Sequence, residues 1–337
     1  SQIVNMLYNL VDRVYIGHMQ PVETVGKLAL TGVGVCLPII MVISAFAALM
    51  AFGGAPRASI AEGRGDLKES ERIMGNSFTM LVAVSVVLTV VFLVFAEPML
   101  RIFGASDNTI GYALNYMRIY ALGTIFVQVT LGMNAYITAQ GFTVVGMKTV
   151  LIGAILNTVL DPIFIFVFKM GVAGVATATV ISNFFSACMI LYFLTHEEEM
   201  LRLDFRKLRI RWKYLLGIIK IGLPAGLQSM VFSLSNVVIQ AAINSFGSDG
   251  IAGSTAEQNF EFMAYFVINA FAQTATTFTS QNFAAQDKER CKKIYRLCTF
   301  IGLASCLGLS LIFLIGRHLF IQIFSTDENV IHYAMIR

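Results

Sequence analysis

Residues 63–73 read GRGDLKESERI and residues 284–294 read AAQDKERCKKI, and the two stretches align residue for residue, Asp66 on Asp287 and Ile73 on Ile294, 221 positions apart. The same offset carries IFGASDNTIGYA (102–113) onto IFSTDENVIHYA (323–334), superposing Phe103 on Phe324, Asn108 on Asn329 and Tyr112 on Tyr333, and it carries Gly32 onto Gly253. A gapless offset held over such a length is the mark of an internal repeat.

What repeats is a membrane bundle. The chain is 57% hydrophobic and 13% charged, with a mean hydropathy of +0.74, whereas soluble domains carry about a quarter charged residues. Apolar stretches of roughly the 20 residues a bilayer demands recur along its length. They fall near 1–17, 29–55, 73–96, 112–138, 147–168, 172–194, 214–246, 251–283 and 291–316, with a tenth starting near 329. Equivalent points of the two copies are separated by six spans. Both copies therefore cross in the same direction, as in transporters built from two bundles related by an axis along the membrane normal, with a substrate cavity between them.

The expected fold is thus an all-α polytopic membrane protein of two pseudo-symmetric six-helix bundles, the second incomplete. Residues 1–194 form the N-terminal lobe, 195–213 a cytoplasmic linker and 214–337 the C-terminal lobe. The chain begins inside an apolar segment and ends as the tenth span starts, so a fragment of a twelve-span protein is expected.

Basic residues fix the orientation. Arg57, Arg64, Lys68 and Arg72 follow span two, Lys148 follows span four, six Lys/Arg from Arg202 to Lys213 follow span six, and Lys288, Arg290, Lys292, Lys293 and Arg296 follow span eight. Loops after even-numbered spans then face the cytoplasm, and the net charge of +4 is accounted for without nucleic acid. The expected setting is a bacterial inner (plasma) membrane, with the lipid bilayer and a small molecule as partners, and a monomer as the working unit. The five cysteines lie in or beside apolar spans without metal-ligand spacing and read as small core residues. With four scattered histidines and one tryptophan, no enzyme, metal centre or cofactor is expected.

One carboxylate interrupts a lipid-like run. In NTVLDPIFIF (157–166), Asp161 stands near mid-span, where an acid costs a few kcal/mol on insertion scales and is a functional candidate by default. Pro162 strips a donor from the carbonyl of Thr158, and Asn157 lies on the same face one turn earlier. Free carbonyl, amide oxygen and carboxylate together suit a cation. Thr179 lies as far beyond the turn near Met170 as Asp161 lies before it, so both sit about 13 Å below that turn on antiparallel helices; Asn183 is a turn deeper. Asp12, in YNLVDRVYIGH (8–18), occupies the outer half of span one. The alternative is that Asp161 only caps a kinked helix and Asp12 pairs with Arg13. Glu257 and Glu261, one turn apart in AEQNFEF, either meet a cationic substrate or pair with Lys220 or Arg118. The connection THEEEMLRLDFRKLRIRWKYL (195–215) either lies on anionic headgroups or is a solvated linker with a few docking side chains.

The segments GRGD (63–66), ITAQG (137–141), YNLVDRVYIGH, NTVLDPIFIF and GVAGVATATVIS (171–182) closely resemble the multidrug and toxic compound extrusion (MATE) family. The resemblance implies a two-lobed antiporter that exports amphipathic, often cationic, small molecules or drugs against inward protons or sodium ions. In one branch of the family the first-lobe cation site uses an aspartate in span one, an asparagine and an aspartate in span five and a threonine in span six. Asp12, Asn157, Asp161 and Thr179 match those positions. Span seven has no acid, so the second-lobe site of other members is not implied. The competing reading, a flippase for lipid-linked saccharides, calls for several cavity cations to bind pyrophosphate; Arg13, Arg118 and Lys220 are few against Asp12, Asp161, Glu257 and Glu261.

The orientation is testable. Cysteines introduced at Ser70, Thr195 and Asp287 should react with an impermeant maleimide only from the cytoplasm, and those at Asp107 and Asp249 only from outside. Labelling of positions 70 and 107 from one side would overturn the span assignment.

Overall fold

The structure, a computed structural model, describes residues 15–16, 25–196, 201–244 and 247–322. Ten helices of more than one turn run through the described residues, with no strand: α1 (Lys27–Gly63), α2 (Leu67–Val94), α3 (Ala96–Ile102), α4 (Ile110–Leu122), α5 (Thr124–Ala139), α6 (Thr143–Pro162), α7 (Val172–His196), α8 (Trp212–Asn244), α9 (Gly247–Ala284) and α10 (Lys288–Gln322). They realise the expected spans two to nine, α4 and α5 together making span four. Spans one and ten lie almost wholly outside the described residues. Among the described residues five helices are long and apolar enough to cross a membrane, or six when the α4–α5 pair, bent by 57°, is counted as one span. The chain divides into two compact units, residues 1–226 and 227–337, the division falling inside α8.

In the first unit α5 is the axis around which the other helices gather. Its sequence TIFVQVTLGMNAYITA buries residues on nearly every side, so it has no lipid face of any width. Polar bonds tie it to its neighbours. Gln128 donates Nε2–H to the carbonyl of Ile43 on α1 at 2.8 Å. The Thr130 hydroxyl donates to the carbonyl of Asn183 on α7 at 3.2 Å, Asn134 donates to Thr149 on α6 at 2.9 Å, and the Tyr136 and Ser77 hydroxyls lie 2.5 Å apart. Close approach does the rest. A Cβ at Gly132 would collide with Leu81 of α2, and one at Gly54 with the Tyr136 hydroxyl. The bend itself has a sequence cause: Gly123 leaves a gap that Val180 of α7 fills.

The connection between lobes is fastened to the first unit by a few of its residues. Leu201 and Leu203 are buried. The Leu201 amide donates to Gln140 Oε1 at 3.2 Å, and the Leu203 amide to the Leu194 carbonyl at 2.7 Å. Phe205 meets Phe78 edge-on at 5.7 Å. Asn76 clamps the far end, its Nδ2 donating to the Arg211 carbonyl at 2.9 Å while its Oδ1 accepts from the Arg211 amide at 3.4 Å. The start of α8 then crosses α1 at bare backbone: a Cβ at Gly53 would strike the Ile218 carbonyl, and one at Gly222 the Leu49 carbonyl. A few docking side chains, Leu201 and Leu203 among them, hold residues 201–211 to the first unit, while Arg202, Arg206 and Arg209 remain exposed.

In the second unit α9 and α10 form an antiparallel hairpin, Phe271 packing on Gly302. Its turn reproduces that between α1 and α2 atom by atom. Gly65 (φ 80°) corresponds to Gln286 (φ 64°). Asp66 donates its amide to Ala61 O at 3.0 Å, as Asp287 does to Asn282 O at 2.9 Å. The Asp66 carboxylate caps α2 by accepting from the Glu69 amide at 2.9 Å, and Asp287 caps α10 by accepting from Arg290 at 3.0 Å. Even the next bond survives a change of atom: Ser70 Oγ donates to Ala58 O at 2.8 Å, and Cys291 Sγ to Thr279 O at 3.9 Å. Every pair is 221 residues apart. The repeat is therefore a repeat of geometry.

Two expectations change. Ser70 is buried against α1, so Lys68, exposed on the same turn, is the better cytoplasmic probe. Of the cysteines, Cys36 is buried, Cys188 is exposed and Cys291, Cys298 and Cys306 are intermediate, so only Cys36 is a core residue.

The left-handed turn yields a stability prediction. A side chain there costs roughly 1–2 kcal/mol, partly offset by the extra unfolded-state entropy of glycine. Gly65→Gln should lower the melting temperature in detergent, and Gln286→Gly should leave it unchanged or raise it slightly. Equal losses from both would show that the two turns are not equivalent.

Candidate functional site

Asp161 owes its setting to the way α6 ends. Pro162 is the last residue of α6. With no N–H, it removes the helical donor of the Thr158 carbonyl, and the chain widens into a π-helical turn over Ile163–Val167 before turning through Lys169 (φ 56°) and Gly171 (φ 58°). Single π turns inside helices concentrate at functional sites. Here the consequence is local: Asp161 is fully buried and Asn157 nearly so, with Asn157 Nδ2 donating to Asp161 Oδ1 at 3.4 Å. The other end of the amide, Asn157 Oδ1, is buried and accepts no hydrogen bond from the described residues.

The facing helix is held close along this stretch by small residues. A Cβ at Gly153 would strike Ser186 Oγ, and one at Gly174 would lie 2.9 Å from the Phe164 backbone carbon. Ser186 also donates to the Thr149 carbonyl at 3.1 Å. These contacts bracket Asn157 and Asp161 on α6 and Thr179 on α7. Thr179 is buried, and its hydroxyl donates to Val175 O at 2.9 Å, which leaves oxygen lone pairs as acceptors. Asn183 lies a turn deeper, but its Nδ2 donates to its own helix at Thr179 O, 2.8 Å away. Its part is to join helices through its carbonyl and Thr130.

Asp12 lies outside the described residues. The described residues that follow it, Tyr15 and Ile16, belong to this neighbourhood: Tyr15 meets Phe166 of the π turn edge-on at 6.4 Å, and Ile16 is buried in a cluster with Ile165, Val172 and Val175. The side chain of Glu257 also lies outside the described residues, while Glu261 is exposed on α9. Arg118 and Lys220, the cations considered as its partners, are exposed in the first unit. What the sequence did not reveal is the burial of Gln128, Thr124 and Ser59 in the same unit. The signal was the glycine of LGTIF (122–126), a break inside an expected span.

A bundle of spanning helices with a buried acid–amide pair beside a proline-terminated helix defines a membrane transporter of repeated-lobe architecture. The sequence profile of the MatE family matches residues 1–163 and 224–336; the chain belongs to this family, whose members are transporters and not enzymes. It is 24% identical over 333 residues to the multidrug export protein MepA of Staphylococcus aureus, covering 98% of this chain and 72% of MepA. It is likewise 24% identical to MepA of Staphylococcus haemolyticus, covering 99% and 73%. Among solved structures, a MATE protein in the straight conformation superposes with a TM-score of 0.89 at 21% identity, covering 98% of this chain and 73% of the other. A MOP superfamily transporter from Pyrococcus furiosus, described as having a binding pocket of reversed polarity, gives 0.85 at 23% identity, covering 99% and 73%. The two-bundle, all-α membrane fold expected from the repeat is the fold of these proteins.

The bracketing contacts can be probed without touching the acid. Gly174→Ala forces a methyl against the Phe164 backbone and should cost about 1–3 kcal/mol as overpacking, read as a lower melting temperature in detergent. Gly34→Ala, with nothing within 4 Å of the added atom, should be silent. Equal behaviour of the two variants would remove the close α6–α7 contact.

Proposed function

We propose that this protein is a secondary active antiporter of a bacterial plasma membrane, exporting amphipathic, cationic small molecules or drugs in exchange for protons or sodium ions. The observation that carries the reading is the Asn157–Asp161 pair, buried at the π-widened end of α6. The curated relatives are named multidrug export proteins, which supports the substrate class.

The coupling site consists of Asp161, Asn157 and Thr179, joined on sequence resemblance by Asp12. Its chemistry follows from burial. A carboxylate withdrawn from water is stabilised by a bound cation or by a proton, and the spare acceptors, Asn157 Oδ1 and the Thr158 carbonyl, are oxygen ligands suited to a hard cation. Ion binding neutralises the acid and favours one lobe conformation, while substrate favours another; coupling is the free-energy difference between those preferences. Glu257 and Glu261 provide negative charge on α9 toward a cationic substrate. The protein acts as a monomer and needs no cofactor besides the coupling ion.

Asp161→Asn keeps the size of the side chain and removes its charge and exchangeable proton. Gradient-driven efflux of an organic cation should fall by at least about fivefold at matched expression, since loss of one coupled charge interaction is worth about 1 kcal/mol or more. Thr179→Ala should lose less. A merely structural acid predicts the reverse: normal efflux for Asp161→Asn and damage from Pro162→Ala. Wild-type efflux by Asp161→Asn ends the ion-site proposal.

A further inference from the structure

The α6–α7 hairpin has a second feature, at its cytoplasmic end and on its outer surface. Between the two helices runs an open groove of about 540 Å³. Lys148, Thr149 and Ile152 of α6 and Phe185 and Phe193 of α7 are among the residues that line it. Thr149 presents little polarity there, because its hydroxyl is already used, donating to Gly146 O at 2.9 Å and accepting from Asn134 at 2.9 Å. The flanking residues of both helices are large, apolar and exposed: Met147, Ile155, Phe184 and Phe185. On a spanning helix such a surface faces acyl chains.

One cation stands at the groove. Lys148 lines it, is exposed, and makes no hydrogen bond or ion pair with the described residues. It lies five residues into α6, about 7–8 Å from the cytoplasmic end, a depth from which a lysine stem reaches the headgroup layer. The positive-inside pattern places that end in the inner leaflet. We propose that the groove is a binding site for an anionic phospholipid of the inner leaflet, with one acyl chain along Ile152 and Phe185 and the headgroup phosphate on Lys148. Basic positions between spanning helices on the cytoplasmic side select anionic headgroups, and the apolar length of this groove supplies what a soluble phosphate would not use.

The site is separate from the coupling residues. Asn157 and Asp161 are buried on α6, while Ile152 and Lys148 are exposed on it. Failure of the lipid proposal therefore leaves the antiporter reading untouched.

The test uses the full chain in bilayers. With Trp212→Phe removing the single tryptophan, Phe193→Trp places a reporter in the groove and Val87→Trp one on the exposed face of α2. Quenching by brominated phosphatidylglycerol and by brominated phosphatidylcholine is compared for each. At position 193 the anionic lipid should be preferred about fivefold, the ratio expected of one lysine at the membrane surface; adding Lys148→Gln should bring the ratio to about one. At position 87 there should be no preference in either background. Equal quenching by the two lipids at 193, or a preference indifferent to Lys148, overturns the proposal, the latter because the cation's partner would then be protein, such as the acids of 197–199. Absence of quenching by either lipid, with cross-linking between two copies at Cys188, overturns it in favour of a dimer contact.

Discussion

Inside a bilayer, apolar side chains gain nothing by leaving lipid for one another, so helices must be held by fit and by polar bonds. In the first unit those devices converge on α5. Individually such bonds are modest, about 0.6 kcal/mol on average, but Gln128, Thr130, Asn134 and Tyr136 direct them to α1, α7, α6 and α2 in turn. Where the partner is a side chain, as at Thr149 and Ser77, removing one member leaves the other short of a hydrogen-bond partner in the interior, which costs more than the bond contributes. The helix that carries no candidate coupling residue thus sets where those residues stand. Thr130 and Asn134 locate α7 and α6, and α6 and α7 bring Asp161 and Thr179 to the same stretch of the hairpin.

The turn after α6 shows how one residue type serves both fold and site. Pro162 ends a helix that its apolar sequence would otherwise continue, and the π turn that follows lets Phe164 settle on the bare face of Gly174. Asp161 lies in the last regular turn before this ending and is fully buried there. An acid in the same register of an unbroken helix would keep the side-chain geometry but would lack the spare carbonyl of Thr158.

Much of this was legible in the sequence because it rests on short-range rules. Span lengths, the 221-residue offset and the acid–proline pair are local or periodic signals, and the asparagine one turn before Asp161 had to share its face. Thr179 was reached by counting from a turn, which works for straight antiparallel helices. Other features depend on contacts between distant residues. The bend at Gly123 is permitted by glycine, but Val180 fills it from another helix. The burial of Ser70 follows from its bond to Ala58 across a turn, and the docking of 201–211 needs Asn76, more than a hundred residues away in sequence. No window of sequence contains both halves of such a contact. Asp12 and the side chain of Glu257 are outside the described residues, and their roles rest on sequence alone.

The fastening of the connection fixes where the next helix begins. Read as a polar stretch of some twenty residues, it would be a slack tether. Clamped by Gln140 at one end and Asn76 at the other, it is instead a rigid splice, and α8 starts one residue beyond the second clamp. Pro224 interrupts that helix, depriving the Lys220 carbonyl of its donor, and the division between the two compact units falls just after it, between Gly226 and Leu227. The turn weakened by Pro224 thus lies inside a single long helix, a few residues ahead of that division.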